Sequence, residues 1–521
     1  FPGGNDIMSF EQIMLNNRTY QYFRIYSTLC ALHPDTYSIH DIAQRVDLPY
    51  PKAYNLTQGL ANELALIDPN AAALIADNGS LDTTQLTIDL DTFRYHLLTT
   101  QVPYQILYYL LTDDEPSIAD FCKQYEASQA TVFRKIKPLN ALLHKFGLRF
   151  TFSQMNIVGD ERKVILFLFC IFRLATRGVV WPFTEQDQVI ATEAHQQFIT
   201  RLQIPSDWEN TAIPLLFLAI INLRMHHGNY VEANSRGNIL LVDNDNYESH
   251  LLNTKLIESQ NYPKWTEAHK QAVLQFGYQL LNIVPTFRKE DAYLKATLDY
   301  FYTRHNIVWQ FATEFLNHMQ QNSFKLPQRL VTDKILLGNV INVILTGYLF
   351  DGVVPSLTLI ADTEQPLLTG GYDYADLYHE ISAYFAHLPE KYIQLFGDHT
   401  QITQALYQLL LPVYAKYKKE YHLRVALMVP GDSAIYQRYA DFYHNSFAYI
   451  DIEPYDQKDA ANYDLIFTSS IAFYLAATKH KQQPVVYFHQ GSPESELAPL
   501  LRARDYYLKK FPALPQAGTI Y

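Results

Sequence analysis

A 79-residue internal repeat is the feature that most narrows what this chain can become. Sliding the sequence by 79 places Ser38, Ile39 and Asp41 on Ser117, Ile118 and Asp120, and Ala53, Tyr54, Leu60 and Leu64 on Val132, Phe133, Leu139 and Leu143. In the second copy, SIADFCKQYEASQATVFRKIKPLNALLHKFG (Ser117 to Gly147) reads as two helices joined by a tight turn, the second helix basic. Ser117 with Asp120 opens the first helix and Ser128 caps the second, while Gly147 tolerates the positive φ that ends it. Val102 to Leu111 supplies a supporting helix, and LRFTFSQMNIVG alternates well enough to follow as a strand or hairpin. The first copy repeats the plan. A helix over Asn17 to Leu32 precedes a capping box at Ser38 and Asp41, and Pro49 and Pro51 open a third helix running to about Leu66. Asp68 to Asp91 is predicted to form a short hairpin or wing with Asn78-Gly79 as its turn. Two winged helix-turn-helix domains in tandem, over 8–92 and 93–160, are the economical description.

A helix-turn-helix sets its second helix in the major groove, so charge on that helix matters more than charge overall. The chain as a whole carries a net charge of −12. From Lys123 to Arg149, however, Lys123, Arg134, Lys135, Lys137, Lys145 and Arg149 face only Glu126, a local +5. The groove-facing candidates are Ser128, Gln129, Thr131, Arg134 and Lys135, because Gln pairs with adenine and Arg with guanine. Lys123, Lys137 and Lys145 suit phosphate contact or the solvated face. The first copy offers Lys52, Asn55, Thr57 and Gln58, with no basic cluster; it can read bases, track the backbone or only buttress the second.

With 521 residues the chain is too long for one core and predicts about three to five domains. Cys30, Cys122 and Cys170, each in an apolar helical pattern, read as buried small hydrophobes in a reducing cytoplasm. No motif asks for a metal or a cofactor. No apolar run is long enough to span a membrane, and the opening FPGGNDIM lacks the basic-then-apolar order of a secretory signal. Residues 161–287 and 288–405 read as two helical blocks, and 420–521 as strands alternating with helices, hence a small open α/β sheet. The fold class expected is therefore multidomain and mainly α, closed by that sheet.

Four stretches carry a resemblance to a known family. They are STLCALHPDTYSIHDIAQRVDLPYPKAYN, TVFRKIKPLNALLHKFGLRF, NIVGDERKVILFLFCIF leading into Trp181-Pro182-Phe183, and the sheet-forming C-terminal segment. In order and spacing the chain resembles the Mga/AtxA virulence and metabolic regulators of Gram-positive bacteria. That resemblance implies two DNA-binding domains, two helical bundles of the phosphotransferase-system regulation (PRD) type, and an enzyme IIB-like domain. It also implies a cytoplasmic homodimer that activates transcription and takes phosphoryl groups from phosphocarrier proteins on histidine. The candidate acceptors are His195, His226 and His227 in the first block and His305, His318, His379 and His387 in the second; His379, His226 and His227 are favoured for lying near helix ends. Where enzyme IIB carriers hold a nucleophilic cysteine this chain has VPGDS, and no cysteine follows Cys170, which excludes a thiol phosphate carrier. Gly431, Asp432 and Ser433 form a strand-to-helix turn, and dimer contact or partner docking is the expected task of the domain.

Two other classes compete with a DNA-binding regulator. An enzyme binding a phosphorylated ligand in the C-terminal domain lacks any P-loop, GxGxxG, HExxH or GxSxG motif and so any assignable catalytic residue. A non-catalytic scaffold would use its helix pairs for protein contacts, which salt dependence separates from duplex binding.

Overall fold

The repeat is visible in the backbone. Its first copy holds α1 (Phe10–Met14), α2 (Asn17–Ala31), α3 (Ile39–Arg45) and α4 (Tyr50–Ile67); its second holds α5 (Leu90–Thr99), α6 (Val102–Thr112), α7 (Ile118–Gln124) and α8 (Gln129–Lys145). Thus α3 and α7, and likewise α4 and α8, start 79 residues apart. Local chemistry sets those starts. Ser38 and Ser117 each accept the amide three residues on, both at 3.1 Å. Pro51 lies in the first turn of α4, where its missing N–H costs nothing. The computed structural model describes residues 9–75, 80–202, 212–244, 265–280, 282, 287–324, 329–351, 353–361, 374–393, 395–417, 422–430, 433–447, 450–480, 484–490 and 493–510.

The segment after α4 keeps part of the expected hairpin, an antiparallel bridge between Ile75 and Leu81 on either side of Asn78-Gly79, and otherwise departs from it. Pro69–Leu74 and Thr83–Gln85 are 3₁₀ turns, and the short strand β2 (Leu81–Asp82) pairs antiparallel with β1 (Thr36–Tyr37), which lies before α3. Such pairing is non-local, so alternation within one window does not reveal it. Asn78-Gly79 lies outside the described residues. Helix α5, which Asp89 caps through the Thr92 amide at 2.8 Å, adds a further element between the two expected units. In the second copy the hairpin forms as expected, β3 (Arg149–Thr151) against β4 (Asn156–Val158) with Phe150 opposite Ile157.

Beyond the repeat the molecule is mainly helical. Helix α9 (Glu161–Thr176) is buried continuously from Val164 to Phe172 and packs against α5 and α11 (Ala212–His226), with α10 (Glu185–Leu202) beside α11. Further helices follow at Glu267–Leu280, Ala292–Arg304, Ile307–Asn322, Lys334–Phe350, Ala375–Ala386 and Thr400–Tyr417. Arg162, Asn234 and Arg236 donate to the carbonyls of Tyr348 and Leu349, so polar groups of the first helical region cap the C-terminal end of Lys334–Phe350. Among the described residues no helix is long and apolar enough to cross a membrane.

The chain closes in a small open parallel sheet of order β6-β5-β7-β8: β5 (Leu423–Met428), β6 (Ile450–Pro454), β7 (Leu465–Thr468) and β8 (Val485–Tyr487). Side chains alternate across it. Val425, Leu427, Leu465 and Phe467 join the large core, whereas Ala426 and Ile466 form a second small cluster with Tyr463. Cysteine placement corrects one expectation: Cys170 is buried and Cys122 half-buried, but Cys30 is exposed. The buried face of α2 carries Tyr22, Ile25, Tyr26 and Leu29; Cys30 follows Tyr26 by four residues and so lies at the edge of that face, in the last turn of the helix.

Candidate nucleic-acid interface

The turn between α7 and α8 is fixed from inside. Phe121 is fully buried, with Tyr125 4.6 Å and Tyr109 5.5 Å from its ring, so α6 and α7 share one aromatic contact. Glu126 turns the chain with a φ of 50°, and the Ala127 amide donates to the Cys122 carbonyl at 3.0 Å. Helix α8 then buries Val132, Ile136, Leu139, Leu142 and Leu143, each contributing roughly 1.5–3 kcal/mol on burial. Its opposite side presents Gln129, Ala130, Phe133, Arg134 and Lys137 to solvent. Pro138 lies within α8 and removes the amide that would meet the Arg134 carbonyl, a loss confined to the exposed side.

The structure brings the sequence-derived candidates of the second copy together. Ser128, Gln129, Arg134 and Lys137 are exposed, and Thr131 and Lys135 are half-buried. Ser128 accepts the Thr131 amide at 3.2 Å and its hydroxyl lies 3.0 Å from that of Thr131, so both are engaged in capping. Among the described residues, none of Lys123, Arg134, Lys135, Lys137, Lys145 and Arg149 forms an ion pair, which leaves all six charges available to a polyanion. Lys52, Asn55 and Gln58 are likewise exposed on α4, flanked by the exposed rings of Tyr50 and Tyr54. Thr57, by contrast, is buried and donates to the Ala53 carbonyl at 2.8 Å.

A helix pair with this turn, a basic second helix and a following hairpin is the architecture of a DNA-binding helix-turn-helix module. The chain matches the family model of the Mga helix-turn-helix domain over residues 86–172. An Mga-type helix-turn-helix DNA-binding domain therefore spans 86–172, taking in α5 to α8, the hairpin and most of α9. No curated protein matches the chain. Among the described residues no group of three His, Cys, Asp or Glu side chains gathers as metal ligands.

Behind this domain lies a polar junction that sequence reasoning missed. Arg224, fully buried near the end of α11, holds both Glu161 oxygens at 2.7 and 2.8 Å and Asn156 Oδ1 at 2.7 Å. Asn156 Nδ2 in turn donates to Asn229 Oδ1 at 2.9 Å. One arginine thus ties the hairpin, the start of α9 and the end of α11 together. A lone arginine in the apolar run LLFLAIINLRM was the available signal. At the other end of α9, buried Arg94 caps the Leu174 and Ala175 carbonyls at 2.7 and 3.1 Å while holding Glu11 at 2.8 Å.

The histidines divide by access. His226 and His227 line a cleft of about 250 Å³ between the helix-turn-helix domain and α11, with Asp114, Gln154 and Asn229. His226 has a side chain 55% exposed, 3.7 Å from Asp114 Oδ1. His227 donates from Nε2 to the Leu111 carbonyl at 3.0 Å, and burial pushes its pKa below the ordinary value. His195 is buried on α10, whereas His379, His387 and His305 are exposed. His318 lies 2.8 Å from Glu380, joining Ile307–Asn322 to Ala375–Ala386. His226 ends α11, but His379 sits in the second turn of its helix, not at an end. Ser433 begins the helix after β5, while Gly431 and Asp432 lie outside the described residues.

Proposed function

We propose that this chain is a transcriptional regulator, an activator, whose second repeat reads duplex DNA and whose helical blocks carry a phosphotransfer signal to it. The carrying observation is the helix-turn-helix of residues 86–172 with six exposed or half-exposed cations free of ion pairs among the described residues. Arg134 and Gln129 are the base-reading residues, with Lys135 and Ser128 beside them; Lys137 holds phosphate. Lys52, Asn55 and Gln58 make a secondary contact.

The rest of the reading follows the family resemblance: two PRD-like bundles, an enzyme IIB-like C-terminal domain that serves as a homodimer contact, and phosphocarrier proteins as donors. The position of His226 supports it. A phosphoryl group there would stand beside Asp114, and repulsion between two anions would strain the junction between α11 and the DNA-binding domain. His227, whose Nε2 is engaged, serves as the contact and His226 as the acceptor; His379 and His387 are accessible acceptors in the second block.

Binding of the full chain to a labelled pool of genomic duplex fragments tests this reading. The intact chain should bind with an affinity that falls steeply with salt, and the Arg134→Ala, Lys135→Ala double variant should lose about 2–4 kcal/mol while keeping its fold. Absence of duplex binding at low salt by folded protein, before and after phosphotransfer, would sink it.

A further inference from the structure

Phe133 is the anomaly of the exposed side of α8. It lies one turn from Gln129 and one turn from Lys137, in the same row, yet it is a phenylalanine 44% exposed. Its ring is braced from the hairpin by Phe152 at 4.2 Å and 60°, and Phe152 is backed by Phe150 at 5.0 Å. The hairpin therefore holds the ring in place without covering it. The counterpart 79 residues earlier is Tyr54, aromatic again and 43% exposed. Two copies of one module thus expose an aromatic ring at the same helical position, where a purely structural residue would be closed over.

In the major groove, thymine alone offers a methyl group, and an apolar side chain reads it by contact. We infer that Phe133 is a specificity-determining residue that packs its exposed edge against a thymine C5-methyl while Gln129 and Arg134 address neighbouring base edges. This role rests on duplex binding by the second repeat. Phe152 is a positioning residue for it. The braced ring enters the groove with few rotamers to lose, so contact with one methyl is not offset by ordering the side chain.

The experiment uses the full chain and a randomised duplex pool enriched on it, then amplified with either dTTP or dUTP, the second lacking every thymine methyl. Intact protein should bind the uracil pool about fourfold more weakly for each methyl buried. Phe133→Ala should bind the two pools equally, at an affinity near that of intact protein for uracil. Should Phe133→Ala not fold by circular dichroism, Phe133→Gln takes its place with the same expectation. Equal binding of both pools by intact protein, or undiminished discrimination by the folded variant, overturns the inference while leaving DNA binding standing. No binding of the thymine pool by intact protein overturns both.

Discussion

Asp47 and Glu126 occupy the same bend in the two repeats, with φ of 53° and 50°, and neither is a glycine. The hydrogen bond that closes the bend is repeated as well: Leu48 to Ala43 at 2.9 Å in the first copy, Ala127 to Cys122 at 3.0 Å in the second. What differs is charge. Over residues 44–70 two cations, Arg45 and Lys52, meet three carboxylates, Asp47, Glu63 and Asp68, for a net −1. The corresponding residues 123–149 carry +5. One backbone has been kept while the net charge along it has changed sign. Phosphate attraction supplies most of the affinity of such modules. A shared scaffold therefore does not predict two equal DNA contacts, and the second repeat is expected to be the stronger.

Attachment also differs. The second repeat is bound to the helical region by buried Arg224, whose partners are Glu161 and Asn156. Removing one member of a buried ion pair leaves a desolvated charge, so Arg224→Ala should cost about 3–5 kcal/mol in denaturant unfolding of the full chain. A loss below about 1 kcal/mol would mean that the junction is not a structural tie. Next in size is the contrast between the faces. Lys52→Ala with Asn55→Ala should weaken duplex binding by about 1 kcal/mol or less, against the 2–4 kcal/mol expected for Arg134→Ala with Lys135→Ala. Equal losses in a fluorescence titration would break the comparison.

Smaller effects sharpen it. Ser128 caps α8 through the Thr131 amide, whereas Pro49 before α4 makes no side-chain cap bond. Ser128→Ala should therefore destabilise its repeat by about 1 kcal/mol, with Pro49→Ala well below that in thermal melts. The last effect is pH dependence. Burial, then the nearby His226 and Arg224, lower the pKa of His227 against the Leu111 hydrogen bond and Asp114, which raise it. The folded state thus binds fewer protons than the unfolded one between its lowered pKa and the ordinary 6.5. The contribution of His227 is present above 6.5 and is lost as pH falls through that window. A His227→Asn variant should show a flatter stability profile there, and an unchanged slope would assign the acid sensitivity to other groups.

Much of the second repeat was legible in the residues because its information is local. Ser117, Ser128 and Gly147 mark helix ends through hydrogen bonds within a few positions, and the alternation in LRFTFSQMNIVG suffices for a hairpin whose strands are neighbours. The first repeat was less legible where its pairing is distant: the Ile75–Leu81 bridge around Asn78-Gly79 is local, but β2 also joins β1 across α3 and α4, and that pairing leaves no sign within one window. Exposure was hidden for the same reason. Tyr54 and Phe133 align as apolar residues, and only the packing of α8 on its own core shows that Phe133 lies outside it.

By itself, then, the sequence determined the repeat, the start of each helix pair, the basic character of α8 and the small open α/β sheet at the end of the chain. These follow from capping, periodicity and charge, which act over a few residues. Tertiary structure alone decided that Arg224 joins three elements, that His226 faces Asp114 across a cleft while His227 is hydrogen-bonded to Leu111, and that Phe133 is braced but uncovered. Each depends on side chains brought together from separated segments, and a burial or a hydrogen bond between such segments exists only once the chain has closed around it.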